Sequence, residues 1–224
     1  MIELQGVTKL YKTGDLTVKA VDCPDFHMEK DEIVVIFGRS GSGKTTFLSL
    51  IGGLTKPTAG KVFINGTDIW TLSDKELSAF RNNNMGFVFQ FPSLIPTLNA
   101  VDNLMLPTIF NEDEKEGQRR ARAKELMGRV DLGQRMDAYP SQLSGGEQRR
   151  IAIARALMNE PRVILADEPT GDLDEETEKD IIELLKQINK EGTGILMVTH
   201  NTDLAKIAHR TFQMASGALK ETEQ

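Results

Sequence analysis

The stretch Gly38-Arg39-Ser40-Gly41-Ser42-Gly43-Lys44-Thr45-Thr46 constrains this chain more than any other. It follows an apolar run, Ile33-Val34-Val35-Ile36-Phe37, suited to a buried strand. It leads into Phe47-Leu48-Ser49-Leu50-Ile51, which reads as the start of a helix. Strand, glycine-rich turn and helix in that order are the context that the pattern G-x-x-x-x-G-K-[ST] needs before it counts as a phosphate-binding loop. The glycines let successive backbone N–H groups point inward at phosphate oxygens, and the helix N-terminus adds its positive end. Lys44 is placed to reach the β- and γ-phosphates, and the Thr45 hydroxyl to ligate Mg2+. An ordinary Gly/Ser turn shares the composition but not the flanks. The stretch predicts a bound nucleoside triphosphate.

With 224 residues the chain holds one large core or two small lobes. Its 39% hydrophobic and 27% charged residues are an ordinary globular balance, and a net charge of −6 gives no reason to expect nucleic acid. The single cysteine, Cys23, forms no internal disulfide and reads as a small buried residue, which suits a reducing cytoplasm. Glu3, Gln5 and Lys9 interrupt the early apolar residues, so no signal peptide is expected. No run approaches the ~18 apolar residues of a membrane span. Any link to a membrane is expected to go through a partner.

Residues 2–10 and 16–29 read as antiparallel strands, with Gly14 and Pro24 as breaks, and Lys61-Val62-Phe63-Ile64 as a further strand before the hairpin turn Asn65-Gly66. These bracket the phosphate loop, so a small β lobe is expected beside a nucleotide core. Tyr11 lies in this lobe and admits two roles, stacking on adenine or a structural one. Ser73 to Arg81 reads as a helix capped by Ser73 and Glu76. Met85 to Gln90 reads as a buried strand whose terminal amide faces a ligand crevice.

From Phe91 to Arg162 no strand pattern is convincing, and a helical insertion is expected. Pro92, Pro96 and Pro107 break its start, so Leu94, Ile95 and Leu98 cannot all be buried in one regular helix. An acidic run (Glu112, Asp113, Glu114, Glu116) and a basic one (Arg119, Arg120, Arg122) read as solvated. Ala123, Leu126, Met127 and Val130 mark an amphipathic helix that Gly133 would stop. Leu143-Ser144-Gly145-Gly146-Glu147-Gln148 opens another helix and offers a second anion-binding N-terminus. Val163-Ile164-Leu165-Ala166-Asp167-Glu168 is a buried strand ending in two carboxylates, whose burial a metal would offset. Asp167 suits the metal, and Glu168 can face the γ-phosphate and a water. Ile181, Leu184, Leu185 and Ile188 mark a further helix, and Gly194 to His200 a third buried strand with a polar end. His27 and His209 read as structural.

In this order the motifs resemble those of the ATP-binding subunit of an ABC transporter, over nearly the whole length. The resemblance makes Gly38–Thr45 the Walker A loop, Gln90 the Q-loop, Leu143–Gln148 the signature and Val163–Glu168 the Walker B strand. Gly171-Asp172-Leu173-Asp174 becomes the D-loop, His200 the switch histidine and Tyr11 the adenine-stacking aromatic. Phe89-Gln90, Leu94-Ile95-Pro96-Thr97-Leu98, Asn103, Leu106-Pro107, Pro140-Ser141-Gln142 and Glu168-Pro169-Thr170-Gly171 resemble the group serving lipoprotein release, macrolide efflux and antimicrobial-peptide resistance. Asp31, where a glycine is usual, and Asn201, where Asp is common, are departures.

The resemblance implies an α/β P-loop NTPase (RecA-like) core with an N-terminal antiparallel β subdomain and an inserted α-helical subdomain. One domain is expected over 1–224, with core and β lobe at 1–90 and 160–224 and the helical subdomain at about 91–159. ATP and Mg2+ are the implied cofactors. The nucleotide set is Tyr11, Gly38, Arg39, Ser40, Gly41, Ser42, Gly43, Lys44, Thr45 and Thr46, with Ser144, Gly145 and Gly146 capping a partner's nucleotide. Thr45, Gln90 and Asp167 are the implied metal ligands, and Glu168, His200 and Gln90 the catalytic set. Also implied are a head-to-tail homodimer on ATP, a separate integral-membrane permease and a place at the cytoplasmic face of the membrane. Rivals are a soluble ABC ATPase acting on DNA or ribosomes, and a nucleotide-gated module without turnover. The first would show a long coiled coil or two cassettes, and the second would lack Glu168 or His200.

Overall fold

The computed structural model describes residues 1–109 and 115–222. In chain order the elements are β1 (Ile2–Thr13), β2 (Leu16–Met28), β3 (Ile33–Phe37), α1 (Lys44–Ile51), β4 (Ala59–Ile64), β5 (Thr67–Asp68), α2 (Asp74–Asn84) and β6 (Met85–Val88). Then come α3 (Ala100–Met105), α4 (Glu116–Arg129), α5 (Gly145–Ala156), β7 (Val163–Asp167), α6 (Glu175–Lys190), β8 (Gly194–Thr199), β9 (Arg210–Ala215) and β10 (Ala218–Thr222). The described strands form one sheet in the order β5-β4-β1-β2-β10-β9-β3-β8-β7-β6.

That sheet has two characters. From β9 to β6 the pairings are parallel, and Val34 and Val35 of β3, for example, lie opposite Leu196 and Met197 of β8. From β5 to β2 they are antiparallel. The two halves meet where β10 pairs with β2 at Ala218 and Asp22. The central strands are continuous apolar runs because both faces are covered. Ile33, Val35, Ile164, Ala166, Ile195 and Met197 join the cluster formed by α3 to α6. Val34, Ile36, Val163, Leu165, Leu196 and Val198 join the cluster of α1 and the β1–β2 lobe on the other face. The helical stretch thus shares one core with the sheet.

Among the described residues no strand lies between β6 and β7, matching the expected helical insertion. Helix starts follow their caps. Ser73 and Ser144 each close a reciprocal capping box, with Glu76 and Glu147. At Asn65-Gly66 both residues take positive φ, 50° and 80°, as a two-residue hairpin turn of right-handed twist requires.

Some boundaries differ from expectation. Pro24 does not break β2, which runs through it; the ladder to β1 pairs Asp25 and Cys23 with Gln5 and Val7 on either side. Gly133 does not stop α4: the helix ends at Arg129, and Asp131 takes the left-handed turn at φ 60°. The main-chain N–H of Leu132 then donates to Met127 O at 2.8 Å, closing the helix end before Gly133 is reached. Asp31 likewise sits at φ 59°, a conformation that explains why glycine suits that position. The basic run is half-buried: Arg120 lies 3.7 Å from Asp102, and Arg122 reaches both Glu125 and Glu160. Phe110 and the acidic residues Glu112, Asp113 and Glu114 fall outside the described residues.

Candidate functional site

The loop between β3 and α1 is closed by backbone contacts that only glycine permits. Gly43, the residue before α1, has φ 107°, and a Cβ there would lie 2.1 Å from the Ala20 carbonyl. A Cβ at Gly38 would lie 2.5 Å from both Met214 O and Ser42 Oγ. Lys44 is buried, and its Nζ donates to the carbonyls of Gly38 at 2.7 Å and Arg39 at 3.3 Å, so the ammonium bridges the loop. Arg39, Ser40, Gly41 and Thr45 are exposed along its mouth, Thr46 is half-buried, and the buried Ser42 hydroxyl has no hydrogen-bond partner among the described residues. Behind the loop, Gly217 N–H donates to Ser42 O at 2.9 Å while its own carbonyl accepts from Asp22 N–H at 2.8 Å.

Two strands away, β7 delivers Asp167 and Glu168. The Asp167 carboxyl is hydrogen-bonded to Thr45. Burial raises its pKa, the Glu168 charge adds to this, and the Thr45 bond and Lys44 charge oppose it. Glu168 leaves the strand at φ 47°, a left-handed conformation costing about 1–3 kcal/mol for a side chain of this kind. Its carboxylate is held from three directions. Thr199 Oγ1 donates to Oε2 at 2.8 Å, His200 N–H donates to Oε2 at 3.2 Å, and His200 Nδ1 lies 3.0 Å from Oε1. The His200 side chain is 71% exposed, so the ring covers the carboxylate from the solvent side.

A hydroxyl and a carboxyl in mutual hydrogen-bond contact fit a small hard cation that takes its remaining oxygens from phosphate and water. Among the described residues no group of three or more His, Cys, Asp or Glu could hold a metal unaided. Gln90 lies past the end of β6 and is exposed. Among the described residues no hydrogen bond joins its amide to Thr45, Asp167 or Glu168.

Ser144 caps α5, its Oγ accepting from Glu147 N–H at 3.1 Å. The same end of α5 packs on α6, where a Cβ at Gly146 would lie 2.5 Å from Thr177 Cγ2. Among the described residues no hydrogen bond or ion pair links Ser144, Gly145 or Gly146 to residues 38–46. Tyr11 is 42% exposed on β1, opposite Val18, with Lys9 Nζ 5.1 Å from its ring centroid.

Sequence reasoning missed two residues. Thr199 reads as one more β-branched strand residue. Arg149 reads as a charged helix position, yet it shares a face with Ala152 and Ile153 and is 3% exposed. A lone cation on a buried stripe was the signal available.

Beside Gln90 lies a groove of about 880 Å3. Leu54, Phe87, Phe89 and Leu106 give it apolar walls, Lys75, Arg81 and Arg155 are its charged residues, and among the described residues no carboxylate lines it. Phe87 and Phe89 stack at 5.8 Å. Phe89 and Phe91 are 44% and 67% exposed. Ile95 is exposed too, whereas Leu94 is partly buried and packs on the helical core.

A parallel-stranded α/β core with a phosphate loop after β3, and paired carboxylates at the end of β7, defines a P-loop nucleotide-binding protein. The chain belongs to the ABC transporter family, whose profile matches residues 21–171. It is 41% identical over 221 residues to the lipoprotein-releasing system ATP-binding protein LolD of a Shewanella species, covering 98% of this chain and 95% of that one. It is 45% identical over 223 residues to the macrolide export ATP-binding/permease protein MacB of Rhodopirellula baltica, of which it spans 33%. The dimeric ATP-binding cassette MJ0796, solved in a post-hydrolysis state with ADP and Pi, superposes with a TM-score of 0.91 at 40% identity, covering 100% of both chains.

Proposed function

We propose that this chain is the ATP-binding and hydrolysing subunit of an ABC transporter of the lipoprotein-release or macrolide-efflux type, powering a separate permease. The observation that carries this reading is the placement of Glu168: a strained, triply anchored carboxylate next to the Asp167–Thr45 pair and the phosphate loop. Phosphoryl transfer demands charge neutralisation and an aligned water. The loop amides and Lys44 serve the first need. Glu168 orients the attacking water and takes its proton as the γ-phosphorus–oxygen bond to ADP breaks, with His200 on the γ-phosphate side. Thr45 and Asp167 would hold Mg2+, which when bound supplies further positive charge at the β- and γ-phosphates. Gln90 stands between nucleotide and groove as a reporter of occupancy. Tyr11 stacks on the adenine.

Two anion-binding helix ends unlinked within one chain support a head-to-tail dimer. Each nucleotide would lie on one subunit's 38–46 loop and be capped by the partner's Ser144 to Gly146. We also read the stretch at about 91–159 as an inserted helical subdomain, beside core and β lobe at 1–90 and 160–224. Among the described residues no helix is long and apolar enough to cross a membrane. On this reading the subunit reaches the cytoplasmic membrane face through its permease, whose short cytoplasmic helix, apolar on one side and acidic at its edges, occupies the cationic groove.

Glu168→Gln tests the reading. It keeps shape and removes the charge, so Mg·ATP binding should persist while turnover falls by roughly a hundredfold or more. Size-exclusion chromatography with Mg·ATP should then show an accumulated dimer. Hydrolysis at the wild-type rate would overturn the assignment.

A further inference from the structure

Arg149 is the fifth residue of α5 and is 3% exposed. Among the described residues its guanidinium binds backbone only. Nη1 donates to Phe89 O at 2.7 Å, and Nη2 donates to Gln90 O at 2.6 Å and, more loosely, to Gly171 O at 3.4 Å. The buried Nε has no hydrogen-bond partner among the described residues. Among the described residues no carboxylate lies within ion-pairing distance of it, and Asp172 attracts it only from further off. A buried guanidinium without a hydrogen-bonded counter-ion is costly to desolvate. Fastening one helix to one loop does not need it, because an amide side chain does that without a buried charge. A guanidinium is distinguished by its planar fork, which holds several acceptors at fixed angles from one point.

Those acceptors belong to two different segments. Phe89 and Gln90 follow β6 at the edge of the groove. Gly171 follows β7, its N–H on the Glu168 carbonyl at 3.1 Å. Further along α5, Arg155 takes the carbonyls of Ser93 at 2.9 Å and Pro92 at 2.8 Å. The carbonyls of Phe89, Gln90, Pro92 and Ser93 are therefore gripped by α5 rather than by the sheet. The bond to Gly171 is the longest of the set and the one most easily exchanged when α5 shifts.

We infer that Arg149 is a positioning residue that ties the Gln90 segment to the Gly171–Asp174 segment, so that displacement of one is passed to the other through a single guanidinium. The inference rests on the function proposed above and adds a route to it. Movement of α5 carries Gln90 with it, and the grip on Gly171 sets the backbone three residues beyond Glu168. Occupancy of the groove and placement of the catalytic carboxylate are then read by the same side chain.

The test uses the full chain carrying Arg149→Lys, with Arg149→Met as a second variant. Lysine keeps the charge but cannot hold two carbonyls in a fixed fork. In Arg149→Lys, kcat should fall roughly tenfold while KM for ATP stays within about twofold. Amide hydrogen exchange, measured in a Glu168→Gln background so that no turnover is needed, supplies the readout that a merely structural role would not move. Mg·ATP should slow exchange at 38–46 and 89–93 in both proteins, but at 171–174 only when Arg149 is present. Arg149→Met should behave like Arg149→Lys with a larger loss of kcat; if it fails to fold, Arg149→Lys alone decides. Full slowing at 171–174 in Arg149→Lys, an unchanged kcat, or loss of slowing in all three segments together with a lowered Tm would each overturn the inference. Absence of any slowing at 38–46 in the parent protein would instead strike at the nucleotide reading itself.

Discussion

Thr199 and Glu168, 31 residues apart, form a buried hydroxyl-to-carboxylate hydrogen bond of 2.8 Å. The same hydroxyl oxygen accepts from Asn201 N–H at 3.0 Å, so one side chain fixes both the carboxylate and the turn after β8. Thr199→Val keeps the shape and removes both bonds. It should cost about 1–3 kcal/mol of stability. It should also lower kcat on the order of tenfold at unchanged ATP affinity, because the carboxylate loses one of three anchors. Thr199→Ser should restore both, and a valine variant with wild-type kcat would show that the hydroxyl does not position Glu168.

Ser144→Arg places bulk and charge where the partner's γ-phosphate is proposed to lie. Losing the cap should cost about 1 kcal/mol, visible as a small fall in Tm. The isolated subunit should still bind ATP through Lys44, while ATP-driven dimerisation and turnover collapse. Mixing with Lys44→Ala leaves one complete site per heterodimer and should recover part of the activity. A mixture no more active than either variant alone would count against capping in trans or show that both sites must fire together.

The groove beside Gln90 makes a chemical demand on its occupant. Phe89→Ala removes an exposed aromatic wall and should weaken permease binding by about 2 kcal/mol, roughly thirtyfold, without lowering Tm. Lys75→Glu puts an acid into a rim whose described charged residues are all cationic and should weaken binding most at low salt. Co-purification with the permease reads both. Full yield with both variants would place the docking surface elsewhere.

Cys23 is buried, and burial pushes its thiol up to about 12, with the charges of Asp25 and Asp22 adding to the effect. Unfolded, the thiol loses its proton above about 8.5. Its contribution to stability is therefore fully present below that pH and is lost as pH rises towards the folded value. Urea unfolding of wild type and Cys23→Ala should show their stability difference shrinking by up to about 1.4 kcal/mol per pH unit above ~8.5. A difference that stays constant to pH ~10 would contradict this.

The central sheet was legible because strands buried on both faces are apolar without interruption, and β3, β7 and β8 are such runs. Helix starts were legible because a cap is a local event: Ser73 and Ser144 bond within three residues. Helix ends were less so. At Asp131 the closing bond from Leu132 N–H to Met127 O puts a left-handed turn on a residue that carries no glycine signal. The phosphate loop and the Asp167-Glu168 pair announce themselves by spacing. Thr199 and Arg149 do not, because their partners lie 31 and 59 residues away and nothing local marks the pairing.

Gly217 N–H holds the Ser42 carbonyl and Gly217 C=O holds the Asp22 N–H, so one residue joins the phosphate loop to the strand that pairs with Tyr11's own. A Cβ at Gly217 would lie 2.8 Å from the Lys19 carbonyl at a φ of 84°, so the position takes no side chain without strain. On the proposed reading this one residue couples the base side of a nucleotide to its phosphate side, so Gly217→Ala should loosen both together.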